Sequence, residues 1–254
     1  MYQVGFSDVN GKILPNRKFP KIGSSEFCSC PNGGQGVNLI PNRFLVRVCH
    51  PCPFVKDAPR DTDEHLVELP EGARLENFAA LDEKENFADV RLAWNDFGLA
   101  VQVEVKGKSQ PPTGDSDKPS GSDGLRLWID TRDARAGHRG SRYCHQFAFF
   151  PTGGGADKDA PFLAQSKINR ALQDAPMANL ADVPFRAHRV KSGYRLEAFL
   201  PAVALNGFDP QEHPRLGVYY CVRDQELGDQ FLSVGWDFPF GDDPSLWAVL
   251  ELVK

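Results

Sequence analysis

Apolar and polar side chains alternate with a period of two along much of this chain. Val90, Leu92 and Trp94 form one apolar row, and Leu99, Val101, Val103 and Val105 form another. Strand side chains point to alternate faces, so each row marks a strand with one face turned to a core. Asn95, Asp96, Phe97 and Gly98 join the two with the turn chemistry of a hairpin. Leu125, Leu127 and Ile129 alternate with Arg126, Trp128 and Asp130, which predicts a half-buried strand over residues 123–130. Further strands are expected at residues 43–49, 143–150, 185–191, 194–200, 215–223, 231–236 and 246–253. Ser192 and Gly193 supply the turn of a second hairpin, and Trp236 reads as strand packing. Pro201 is placed to open a short helix through about Asn206.

Helix is otherwise scarce and short strands are spaced by turn signals. The expected fold class is therefore all-β, an antiparallel, jelly-roll-like β sandwich with short helical insertions. The continuous Val/Ile runs of a buried parallel sheet are missing. Residues 1–36, rich in Gly, Pro, Ser and Asn without periodicity, read as an irregular N-terminal extension to a sandwich domain over 37–254. Gly107 to Ser122 is a long loop, of a kind usually functional or disordered.

With 254 residues and 41% apolar side chains, the chain is long enough for one large β domain. A net charge of -5 and a pI near 5.7 argue against a nucleic-acid partner. No run approaches the roughly 18 apolar residues of a membrane span, so no membrane partner is expected. Met1 to Asp8 lack the basic and apolar regions of a signal peptide. A cytoplasmic location is the default expectation, although a trimmed leader would leave no trace.

Six motifs occur in a telling order: Trp94-x3-Gly98-Leu99, Asp123 through Asp130, Gln146-Phe147, Gly193 through Pro201, Val222-x-Asp224 and Leu250-x-Leu252. Together they resemble family 9 carbohydrate-binding modules, within the wider DOMON-like group of β sandwiches, over about residues 85–254. The resemblance implies a non-catalytic module, commonly attached to polysaccharide-degrading enzymes, that binds sugar between two tryptophans. It also implies calcium as a possible cofactor, with no ligands assigned. The chain departs from the family at the stacking pair, where Ser120 and Gly241 stand in place of tryptophan. Arg126 replaces a family Glu, Ala148 an Arg and Cys221 a Gln, and of the polar set only Asp224 matches. Losing two stacking aromatics, each worth on the order of 1 kcal/mol, weakens sugar binding by about 30-fold.

The strand faces opposite the apolar rows carry Arg126, Trp128, Arg142, Tyr219 and Arg223. One reading is a solvated face with cross-strand ion pairs, each worth roughly 0.2–1 kcal/mol. The other is a ligand face, in which Arg126, Trp128, Arg142, Arg223, Asp224 and Phe240 gather around an acidic glycan or oligosaccharide. Arginine's planar fork suits carboxylate or sulfate, and an aromatic beside it suits a sugar ring. Three functions compete: glycan binding without catalysis, a structural or protein-interaction sandwich, and a glycoside hydrolase with an unrecognised carboxylate pair. Glycan binding is the expectation carried forward.

Cys28-x-Cys30 and Cys49-x2-Cys52, with 18 residues between the pairs, approach the spacing of a structural zinc site. Isolated thiols or a disulfide are the alternatives. No nucleophile elbow, P-loop, G-x-G-x-x-G or H-E-x-x-H motif occurs. Cys144 and His145 are strand neighbours, so they point to opposite faces and form no nucleophile–base pair.

Overall fold

A computed structural model describes residues 48–254, apart from 61, 63, 83, 135 and 136. The expected extension over 1–36 and all but the end of the expected strand at 43–49 lie outside the described residues. In chain order the strands are β1 (Cys49–Pro53), β2 (Ala88–Asn95), β3 (Gly98–Lys106), β4 (Gly124–Asp130), β5 (Cys144–Gly154) and β6 (Ala160–Ser166). They continue with β7 (Phe185–Val190), β8 (Gly193–Pro201), β9 (Arg215–Asp224), β10 (Gly228–Phe231) and β11 (Ala248–Val253). The larger sheet runs β1-β11-β9-β4-β5-β6, with β10 folded back onto β9. The smaller runs β2-β3-β8-β7. Pairing is antiparallel except between β1 and β11.

The apolar rows set the register. Leu127 stands between Phe147 and Tyr220, and Leu125 between Phe149 and Val222. On the smaller sheet Val103 stands between Val90 and Leu196. These side chains share one core cluster and are almost wholly buried. Full burial of each Leu, Val or Phe contributes on the order of 1.5–3 kcal/mol, so this shared row dominates the fold's stability.

Both hairpins form. Asn95 pairs with Gly98, which leaves Asp96 and Phe97 as the turn. Gly98 has φ +155, and a Cβ there would stand 2.1 Å from the Leu200 carbonyl of β8, so only glycine fits. The second turn is Lys191–Ser192 rather than Ser192–Gly193, because Gly193 already pairs with Val190.

Two further elements differ from expectation. The helix after Pro201 is a single 3-10 turn, Ala202–Ala204, and Pro201 itself ends β8. The strand expected at 231–236 is β10, which stops at Phe231. Beyond it the chain turns over the sheet, where Val234 O accepts a hydrogen bond from the Tyr219 hydroxyl.

That crossing changes the character of β4, whose seven residues are all buried. On its outer face Trp128 lies under the turn-rich segment that follows β10 and Arg126 under residues 119–122. The smaller sheet is covered too. Leu66, Val67 and Leu69 pack with Ala93, Ala100 and Phe199. Glu197 accepts from the amides of Leu66 (2.6 Å) and Val67 (3.3 Å), and Gln102 accepts from Leu69 N (2.9 Å). The strap's backbone donors thus find partners inside a water-poor layer.

Candidate functional site

Arg126, expected to face ligand, is only 8% exposed. Its guanidinium donates to Gly124 O (3.2 Å), Pro119 O (3.0 Å), Ser120 O (3.3 Å) and Ser122 O (2.8 Å). Burial lowers its pKa below the usual arginine value, and the Arg223 charge adds to that. The group is a brace for the 119–124 loop. Its donors are committed before any ligand arrives.

Trp128 and Phe240 are also corrected. Trp128 packs edge-on against Tyr219 (5.9 Å between ring centroids) and Phe240 (5.5 Å), and Phe240 stacks on Tyr219 at 4.6 Å. All three rings belong to the core cluster, so none offers a free face to a sugar. Asp224 is buried as well, and both its oxygens lie 2.6 Å from the Lys108 ammonium. Asp123 Oδ2 is 3.2 Å from the same ammonium. This carboxylate pair is sealed around a lysine and has no route to a substrate.

Arg142 is at the wrong end of the sheet. It precedes Cys144, which pairs with Asp130, whereas Arg223 pairs with Gly124. The seven residues of β4 separate these ends by roughly 20 Å. Arg142 bonds instead to the Tyr143 hydroxyl at 2.8 Å.

Arg223 is the member of the expected set that sits beside an open aromatic. That aromatic is Trp236, 57% exposed. Phe231 (5.5 Å) and Phe240 (5.1 Å) pack against its ring from the core side. Its indole N–H donates to Asp229 Oδ2 at 2.6 Å, and the Arg223 guanidinium lies 5.6 Å from the ring centroid. Arg223 Nε is 3.5 Å from Asp229 Oδ1, and Arg223 Nη1 donates to Ser120 O at 3.1 Å. The cross-strand register of Arg223 with Asp229 places both at the platform's rim. Chemically this is a pre-oriented indole with the Arg223 cation over its ring and the Asp229 carboxylate at its N–H edge. Such a surface stacks a pyranose ring and reads its substituents.

Two clefts run from the start of β2 toward the platform, the smaller one reaching Asp229 and Phe231. One, of about 580 Å³, opens at the start of β2 beside Arg74, Asn77, Asp89 and Glu104. The other, about 230 Å³, shares Glu85, Phe87 and Leu227 with it. Their charges are largely paired internally, as between Arg74 and Asp89 at 2.5 Å.

The cysteine tetrad is not supported by β1. Cys49 is exposed and Cys52 is buried. Three residues apart on a strand, the two thiols occupy opposite faces and cannot chelate one ion together. Burial raises the Cys52 pKa far above the usual thiol value. Cys28 and Cys30 lie outside the described residues.

No family model and no curated protein matches the chain. Solved structures do. A carbohydrate-binding module family 9 structure from Caldicellulosiruptor kristjanssonii, in complex with cellotriose, aligns with a TM-score of 0.52. The alignment covers 80% of this chain and 92% of that chain at 15% identity. A second structure of that family from the same organism, in complex with glucose, aligns with a TM-score of 0.47 at 16% identity. It covers 66% of this chain and 76% of that chain.

The fold is that of a family 9 carbohydrate-binding module.

On this family 9 fold, Ser120 and Gly241 occupy the positions where the resemblance puts tryptophans. Gly241 lies against buried Trp128, since a Cβ there would be 3.8 Å from the indole. The carbonyl of Ser120 accepts from both Arg126 and Arg223. Trp236 was legible as an aromatic beside the expected ligand strand, but period-two reasoning assigned it to packing. Gly235, Asp237 and Pro239 around it were the turn signals that argue against a strand.

Proposed function

We propose that this chain is a non-catalytic carbohydrate-binding module that takes an acidic glycan on Trp236, with Arg223 reading a carboxylate or sulfate. The observation that carries the reading is the exposed indole backed by Phe231 and Phe240 and flanked by Arg223 and Asp229. The family 9 fold supports a sugar ligand. The charge of Arg223 reaches the buried Arg126 guanidinium beneath it, so this end of the sheet carries two cations against the Asp229 carboxylate. A role beside polysaccharide-degrading enzymes follows from the same reading, since such a module holds a catalyst near its polymer.

A glycan array containing neutral, uronic and sulfated oligosaccharides, followed by calorimetry, tests this. Binding is expected among the acidic members and should weaken with salt, because exposed charges are screened over about 10 Å at 0.1 M. Trp236→Ala should weaken affinity at least about tenfold, equivalent to about 1.4 kcal/mol, with the fold intact. Binding that is indifferent to Trp236→Ala would move the site to the larger cleft beside Arg74, Asp89 and Glu104. No glycan bound at all would leave a structural or protein-interaction sandwich.

A further inference from the structure

Apart from the Trp236 platform, the outer face of the smaller sheet holds an unusual set of donors. His188 on β7 pairs with Arg195 on β8, and Glu197 lies two residues further along β8 on the same face. His65 reaches the same spot from the covering strap. One ring nitrogen from each histidine and one Glu197 oxygen all lie within 4.8 Å of one another. We propose that His65, His188 and Glu197 bind a divalent ion of the zinc class, which clamps the strap over residues 64–69 to the sheet.

Three observations support the assignment. Glu197 is fully buried and preset, with Oε2 held by the amides of Leu66 and Val67. Oε1 faces His65 Nδ1, 3.0 Å away, and shares that position with Arg195 Nε. His188 Nε2 is buried without a hydrogen-bond partner, and a buried orphaned nitrogen calls for a partner. The donor set, two imidazoles and a carboxylate, suits zinc rather than calcium or magnesium, which prefer all-oxygen shells.

The geometry asks for a small movement. Zinc bonds of about 2.0–2.2 Å put ligand atoms roughly 3.3–3.5 Å apart. His65 Nδ1 already stands 3.0 Å from Glu197 Oε1, so the remaining adjustment falls on the half-buried His188 side chain. Arg195 is the competing cation, with Nε 2.5 Å from Glu197 Oε1. Its Nη2 also donates to Val67 O at 3.1 Å, which anchors it when the metal takes Oε1. Arg186 bonds to Thr62 O at 2.7 Å and sits across from Glu197, at the border of the site. A two-histidine, one-carboxylate shell leaves a fourth position for water.

The test uses the full chain, stripped with chelator and titrated with zinc chloride. One equivalent should bind, and zinc about 100-fold above its Kd should raise the melting temperature by roughly 5–10 °C. His188→Gln should abolish the shift, and His65→Gln should weaken binding at least about tenfold. Both variants are first checked for native circular dichroism. Because thiolates are general zinc ligands, the titration is repeated in Cys28→Ser/Cys30→Ser/Cys49→Ser, where the equivalent and the shift should persist. Cobalt(II) in place of zinc should give visible bands without sulfur-to-metal charge transfer. No zinc-dependent shift in the native chain overturns the proposal. So does a shift that survives His188→Gln, or one that disappears with the cysteines.

Discussion

The Lys108 ammonium lies 2.6 Å from each oxygen of Asp224, and the two side chains are 1% and 0% exposed. Asp123 joins the cluster and also accepts from Thr113 N and Gln225 N, and Glu226 Oε2 lies 3.8 Å from the same ammonium. The loop that opens at Gly107 is thereby tied to the ends of β4 and β9.

Breaking a buried pair by removing one partner leaves a charge without compensation. Lys108→Met should therefore lower the unfolding free energy by about 3–5 kcal/mol. Lys108→Met/Asp224→Leu should recover part of the loss, a coupling that denaturant melts of the single and double variants would measure. Burial alone lowers the Lys108 pKa, but the hydrogen bond to Asp224 and the charge of Asp123 outweigh it and raise the value. A folded pKa above the unfolded one gives stability that is complete below about pH 10.4 and is lost as pH rises through the folded value. The native chain should lose this alkaline-sensitive component on Lys108→Met.

Glu226 contributes on the acid side, alongside Asp89, Asp115 and Asp159. It accepts from the Ser109 hydroxyl (2.5 Å), Gln110 N (3.0 Å) and Ser109 N (2.8 Å), which hold its pKa down at about 2 from 4.5. A folded pKa below the unfolded one gives stability present above pH 4.5 and lost as pH falls toward 2. Unfolding curves between those values should flatten in Glu226→Gln. An unchanged pH slope in that variant would show that these hydrogen bonds do not persist in solution.

Arg126→Lys replaces a fork serving four carbonyls with a single ammonium. The expected loss is about 2–3 kcal/mol, the scale of charge-assisted hydrogen bonds. Hydrogen exchange should speed up at residues 119–122. Any loss of glycan affinity would act through Ser120, whose carbonyl also holds Arg223. Exchange rates equal to those of the native chain would contradict the bracing role.

Leu127 is 0% exposed between Phe147 and Tyr220. Leu127→Asp buries an unpaired carboxylate and should prevent folding, seen as lost near-UV dichroism. A cooperative melt close to native would refute the core register.

The separation of strand faces was readable because it follows from one local rule. Leu125, Leu127 and Ile129 fall inside, while Arg126, Trp128 and Asp130 fall outside, and cross-strand register confirms the partition. The same rule placed Val103 and Leu196 on one face of the smaller sheet. What it did not reveal is that both outer faces are covered. Arg126 and Trp128 therefore looked like ligand groups.

Covering is a long-range event. Glu197 meets the amide of Leu66 across a sequence separation of 131 residues, and Tyr219 meets Val234 across a turn that breaks the expected strand. Alternation along a strand specifies which side a residue faces, because it is built into the backbone pleat. Whether that side meets water depends on which distant segment lies over it. The sequence alone thus determined the sandwich, its core rows and the polar character of its outer faces. The tertiary structure decided that Asp224 holds a lysine, that Arg126 braces a loop, and that Trp236 rather than Trp128 is left open to solvent.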